Sequence, residues 1–333
     1  MRGRLQRVTK WLAIVSTVGM FIVLVMGATV TVTGSGAGCG TSWPLCNGEF
    51  IPDFAIATAI EYSHRLVTGV EGILILDTAL GAFICWRRRL EVRILVPLMI
   101  LFLLLQAALG ALSVIYPGWW GRDTVLALHF GISLIAFATT LLTALLIVGM
   151  QNGLDALRDR VVPTSVRWAT WGIALYTYAA VYLGAYVRHT DSSLACLDWP
   201  LCQGSVFPGF TGPVGIVFSH RLAAVFLTLG VGWLCWWCWQ IRVTRPDLAW
   251  AGVFALATLF AQSATGAAIV FTRLNLFSSL AHGAVVTLYF GALSYLCYAM
   301  LPRPRSVRGR DDLTVAAPTV ERYPASSTGA RIG

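Results

Sequence analysis

Five histidines punctuate the chain: His64, His129, His189, His220 and His282. Four of them fall into pairs related by a repeat. His64 stands in Glu61-Tyr62-Ser63-His64-Arg65-Leu66, and a near copy, Val217-Phe218-Ser219-His220-Arg221-Leu222, follows 156 positions later. His282 answers His129 at a spacing of 153. Two imidazoles facing each other across a helical bundle suit the axial ligation of a haem iron. Zinc usually takes three or four protein ligands, and two per half fall short. His189 stands in a loop beside Arg188 and is not read as an axial ligand. The copies differ at one telling position, Glu61 in the first and Val217 in the second. Glu61 and His64 are three apart and share a helix face. A carboxylate there can take a proton, or stabilise positive charge developing on a nearby carbon. Arg65 and Arg221 each follow a histidine and either grip a haem propionate or snorkel to the headgroups.

The elements that must place these residues are membrane helices. Hydrophobic residues make up 57% of the chain and charged residues 12%, a mix outside the range of soluble domains. Eight apolar runs are long enough to span a bilayer, at 11–32, 58–86, 93–115, 124–150, 166–187, 213–241, 248–271 and 277–301. Barrel strands would be shorter and would alternate in polarity. The expected fold is an all-α polytopic membrane protein, with one ligand-type histidine near the same end of the second, fourth, sixth and eighth runs. The net charge of +9 does not point to nucleic acid. All but five of the 24 basic residues lie before the first run, in alternate connections or in the tail, the five being Arg65, Arg122, Arg188, Arg221 and Arg273. That asymmetry places both termini in the cytoplasm and the chain, multi-pass, in the cell membrane. The first run follows a basic segment as a signal peptide would, but it is too long and reads as a retained anchor.

Most of one half recurs in the other. Trp43-Pro44-Leu45-Cys46 returns as Trp199-Pro200-Leu201-Cys202, Gly27-Ala28 as Gly184-Ala185, and Gln106 with Gly110 as Gln262 with Gly266. This predicts two pseudo-symmetric four-helix bundles, 1–155 and 156–301, followed by a disordered cytoplasmic tail, 302–333. Cys39 with Cys46, and Cys196 with Cys202, lie in loops facing an oxidising compartment and read as disulfides, against the alternative of free thiols. Gln106 and Gly110 read as helix packing, against a contact to a cofactor. Glu71 and Asp77 need a partner or a task inside the membrane, and for Asp77 a pairing inside the bundle is expected. Cys235 and Cys238 form a CxxC within an apolar helix and read, with Cys85 and Cys297, as buried thiols.

With these residues in view, the chain resembles the haem A synthase family, membrane enzymes that turn haem O into haem A for terminal oxidases. The resemblance spans all eight runs. It rests on the Glu61 to Arg65 motif, the paired Trp-Pro-Leu-Cys loops with Cys39 and Cys196, the stretch Gly184-Ala185-Tyr186-Val187-Arg188-His189-Thr190, and the four paired histidines. It implies oxidation of the C8 methyl of haem O to a formyl group, with substrate at His64 and His129 and a haem b cofactor at His220 and His282. It also implies a required glutamate at Glu61 and a role for Cys39 and Cys46. The partners it implies are haem O, haem O synthase, cytochrome oxidase assembly factors, an electron acceptor and membrane lipid. The competing reading is a quinol-linked di-haem b-type electron-transfer protein. That protein would need no carboxylate asymmetry, and its haems would more often stack across the membrane. A haem carrier without chemistry is a third, and it would be indifferent to Glu61.

Overall fold

The computed structural model describes residues 2–116 and 122–304; the expected tail, from 305 onward, lies outside the described residues. Among the described residues eight α-helices follow in order: α1 (Arg2–Val32), α2 (Ile56–Trp86), α3 (Leu90–Ile115), α4 (Arg122–Gln151), α5 (Thr164–His189), α6 (Gly212–Gln240), α7 (Pro246–Phe271) and α8 (Leu276–Ala299). Short 3-10 turns form at Leu154–Asp159 and Ser192–Leu194. Among the described residues the only strand-like pairings are isolated bridges, Cys46 with Glu49 and Cys202 with Ser205.

The expected spans lie on these helices, with two differences. Helix α1 starts at Arg2 rather than near residue 11, because the Arg, Leu, Gln and Lys residues before the apolar run are themselves good helix formers. Among the described residues seven helices are long and apolar enough to cross a membrane, and α5 is not among them. It has the length, 26 residues, but Tyr176, Tyr178, Tyr182 and Tyr186, with its threonines, dilute its apolar character. The chain is an all-helical multi-pass membrane protein.

Packing follows two closed circuits. α1 and α3 each pack on both α2 and α4; α5 and α7 each pack on both α6 and α8. Contacts of α8 with α1 and α4, and of α4 with α5, join the circuits. Each circuit has its own apolar core. One gathers Met20, Ile75, Val92, Met99, Phe137 and Ile147, the other Leu234, Leu248, Leu259, Tyr289, Leu293 and Leu296. These cores fill the parts of the helices remote from the disulfide loops, and the four paired histidines lie nearer those loops.

At the opposite end, the segment between α4 and α5 forms a clamp. Arg158, 5% exposed, donates to Glu91 at 3.1 Å, Asp155 at 3.2 Å, the Tyr298 hydroxyl at 2.8 Å and the Leu301 carbonyl at 3.2 Å. Arg89 reaches Asp155 at 2.7 Å. Arg245 grips both oxygens of Asp247 and the carbonyls of Arg160 and Ala299. Buried guanidinium groups of this kind persist only when their donors are satisfied. The clamp ties the starts of α3 and α7 to the end of α8. Asp77 departs from expectation. It is exposed on the outer surface of α2 rather than paired inside the bundle, because its position places it off the face that carries His64 and Glu71.

Candidate functional site

Each paired histidine is the seventh to ninth residue of its helix, about 9–12 Å from the helix start. All four are partly buried. Each ring lies against a glycine of the preceding helix. A Cβ added at Gly27 would stand 3.3 Å from Cε1 of His64; at Gly110, 3.3 Å from Cε1 of His129; at Gly184, 2.9 Å from Cε1 of His220; at Gly266, 3.3 Å from Cε1 of His282. Gly110, read from the sequence as a helix-packing position, and its three counterparts therefore make room for imidazoles. One turn before three of these glycines stand Gln106, Ala180 and Gln262, whose backbones come close to His129, His220 and His282 respectively. His64 is within electrostatic reach of His129, and His282 of His220.

The residues fit a bis-imidazole macrocycle. Nδ1 of His64, of His129 and of His220 is buried and without a hydrogen-bond partner among the described residues. Buried ring nitrogens are seldom left so. Among the described residues no three His, Cys, Asp or Glu side chains converge as a metal site. His282 differs, with Thr265 Oγ1 3.0 Å from Nδ1 and the Gln262 amide 3.0 Å from Nε2. His189, expected in a loop, is the last residue of α5.

The first pair has a carboxylate beside it. Glu61 is 3% exposed. Its Oε1 receives Arg65 at 2.5 Å and its Oε2 receives the backbone N–H of Cys39 at 2.9 Å. Arg65 also donates to the carbonyls of Ser42 and Leu45 at 2.8 and 2.7 Å. The carboxylate, the arginine and the disulfide hairpin Cys39–Cys46 therefore form one unit. Gly38 permits it: a Cβ there would stand 2.5 Å from the Ala57 carbonyl carbon, and Thr58 Oγ1 donates to the Gly38 carbonyl at 2.9 Å. The hairpin thus lies flat on the first turn of α2, with the Cys39 amide aimed at Glu61. In the second half, Arg221 donates to the Leu201 carbonyl and, at 3.4 Å, to those of Pro200 and Cys196. The Cys196–Cys202 disulfide forms there too, but Val217, 5% exposed, stands where Glu61 would be. Both arginines thus bind loop carbonyls, a use that neither sequence alternative anticipated.

Residues 10–294 match the family model COX15-CtaA, described as cytochrome oxidase assembly protein. Curated relatives named heme A synthase align over most of their length. The one from Symbiobacterium thermophilum is 39% identical over 313 residues, covering 92% of this chain and 98% of the relative. That from Geobacillus kaustophilus is 40% identical over 303 residues, 91% and 94% respectively. An Exiguobacterium protein is 41% identical over 285 residues, 85% and 90%. Paired imidazoles on glycine cradles, a buried glutamate beside one pair only, and these alignments lead to one conclusion: the chain belongs to the haem A synthase family of cytochrome oxidase assembly proteins.

Proposed function

We propose that this chain is a haem A synthase, an oxidoreductase that converts the C8 methyl of haem O, through a hydroxymethyl stage, to the formyl of haem A. In this reading 1–155 is the substrate half, with haem O between His64 and His129. The half 156–301 is the cofactor half, with haem b between His220 and His282. Both termini are cytoplasmic, as the basic asymmetry argues. The observation that carries the reading is Glu61, buried one turn from His64 and held by Arg65 and the Cys39 amide, against Val217 in the copy.

Oxidising a methyl to a formyl adds an oxygen atom, balanced with water as its source, and removes protons to a base and electrons to the acceptor from one edge of the ring. Glu61 is placed to take the proton or to face the developing positive charge. The Cys39 N–H fixes one carboxylate oxygen, and Arg65 holds the other, so the group meets the substrate already oriented. The remaining donors of Arg65 are available to a propionate; Arg221 has the corresponding place in the second half. Haem b, when bound, supplies a redox centre whose potential its axial ligands and surroundings set. With Thr265 Oγ1 at Nδ1 of His282, Nε2 would be the atom that holds a haem iron, in place of its present contact with the Gln262 amide. The partners in this reading are haem O synthase as supplier, cytochrome oxidase assembly factors, an electron acceptor and surrounding lipid.

The test is to express the chain with a source of haem O and identify the extracted haems by mass. Wild type is expected to yield haem A. Glu61→Gln is expected to yield none while haem stays bound. Haem A from the variant at the wild-type rate would refute the role given to Glu61. Two chemically unchanged haems in the wild type would instead favour the di-haem electron-transfer reading.

A further inference from the structure

We propose that Glu71 selects the haem of the first half by hydrogen bonding a hydroxyl on the porphyrin edge remote from the disulfide loops; this rests on the haem A synthase reading. Glu71 is 3% exposed. Its Oε1 is buried and without a hydrogen-bond partner among the described residues. The sequence alternative, a pairing within the bundle, gives no account of that bare oxygen. A carboxyl enclosed by membrane helices with a bare oxygen is costly, which implies a task.

The group is also deliberately accommodated. A Cβ at Gly19 of α1 would collide with Oε2 of Glu71. Gly19 and Gly27 thus form two cradles on α1, one for the carboxyl and one for the His64 ring. Glu71 lies seven residues past His64, about two turns deeper on nearly the same face. Gly19 and Gly27 are eight residues apart on α1, so the carboxyl stands about 12 Å deeper than the His64 ring. Beside Gly19, the Sδ of Met20 meets the side-chain amide of Gln106 at 3.7 Å. Glu71 and Gln106 make a polar floor beneath the first imidazole pair.

The second half keeps the amide, as Gln262, but has Leu227 at the place of Glu71, buried at 6% exposure. The two haems differ in the same sense. Haem O and haem b share one ring, but where haem b has a vinyl group, haem O has a hydroxyethylfarnesyl group. That substituent lies on the edge opposite the propionates. With propionates toward the arginines, the hydroxyl faces the floor. A carboxyl there rewards a hydroxyl and leucine rewards a vinyl. A site built to bond a hydroxyl discriminates strongly against the analogue lacking it.

The experiment compares full-length wild type, Glu71→Leu, Glu71→Gln and Gly19→Ala, purified from cells that make both haems. The readout is the ratio of farnesylated haem, O plus A, to haem b in the extracted pigment. Glu71→Leu is expected to lower that ratio roughly tenfold, Glu71→Gln to leave it near wild type, and Gly19→Ala to lower it by displacing the carboxyl. Should Glu71→Leu fail to accumulate, Gly19→Ala reads the same quantity. An unchanged ratio in Glu71→Leu, or equal loss of both haems, overturns the proposal. Haem A formation with an unchanged ratio refutes Glu71 alone. Haem O that never becomes haem A, with a ratio that still falls in Glu71→Leu, refutes the enzyme reading and supports Glu71.

Discussion

The two disulfide hairpins are near copies in backbone and differ in where they hold a carboxylate. In both, a cis Trp-Pro bond precedes the second cysteine, and two residues with positive φ follow it, Asn47 and Gly48 at 53° and 85°, Gln203 and Gly204 at 53° and 72°. In both, the arginine after a histidine donates to hairpin carbonyls. In the first, Arg65 also pairs with buried Glu61. In the second, the acid is in the hairpin itself: Asp198 takes the Gly204 and Gln203 amides at 2.8 and 2.7 Å. Duplication kept the scaffold while the acid sits near the imidazoles in one half and in solvent in the other. A buried carboxylate thus stands beside the imidazoles of the first half, where the second has Val217, and the proton chemistry proposed for Glu61 depends on that difference.

Exchanging the distinguishing residue should have the largest effect. Glu61→Val, which copies the second half, is expected to lower haem A formation by about 10²–10⁴-fold, while Val217→Ala, at the matching place, lowers it far less. Turnover measured with supplied haem O decides this, and equal sensitivity at both positions would end the comparison. The arginines come next. Arg65→Ala leaves a buried carboxylate without its cation and should cost about 3 kcal/mol of stability. Arg221→Ala loses carbonyl contacts at a solvent-screened site and should cost under about 1.5 kcal/mol. Thermal unfolding in detergent ranks the two.

Smaller effects are expected at the cradles. Gly184→Ala, with its new methyl 2.9 Å from His220, should cost about 1–3 kcal/mol. Gly27→Ala, at 3.3 Å from His64, should cost less. The smallest effect concerns acid. The Gly204 amide, followed by that of Gln203, holds the Asp198 carboxyl below the usual carboxylate range. A depressed value means that this contribution is present above the unfolded pKa and is lost as pH falls through the folded one. Exchange of the Gln203 and Gly204 amides should therefore accelerate only in strong acid, and in Asp198→Asn it should be fast at all pH. The first hairpin has Ser42 at this place and should show no such step.

The helices and the repeat were legible because apolar runs of bilayer length and a fixed offset are local properties of sequence. The disulfides were legible from pairing and position. The glycine cradles were only half legible. Gly27, Gly110, Gly184 and Gly266 stood out as repeated small residues, but that each meets the ring of the next helix is a tertiary fact. The recurrent order, a glycine on each odd helix and a histidine on the next, was the available signal. The tie from Glu61 to the Cys39 amide could not be read, since it depends on Gly38 lying flat against α2. The clamp around Arg158 was missed because Asp155 and Arg158 look like ordinary linker charges until Glu91 and Tyr298 close on them. Asp77 was misplaced because a carboxyl in an apolar run suggests an inward partner, whereas helical phase turns this one outward.

The central claim is that each imidazole pair holds its own haem. It is tested most directly by mass identification of the pigments left after removing one pair at a time. Without His64 and His129 the protein should retain haem b and lose haem O and haem A. Without His220 and His282 it should lose haem b and still carry the farnesylated haem. If both variants lose the same haem, or either keeps both, the assignment of one haem to each half is wrong.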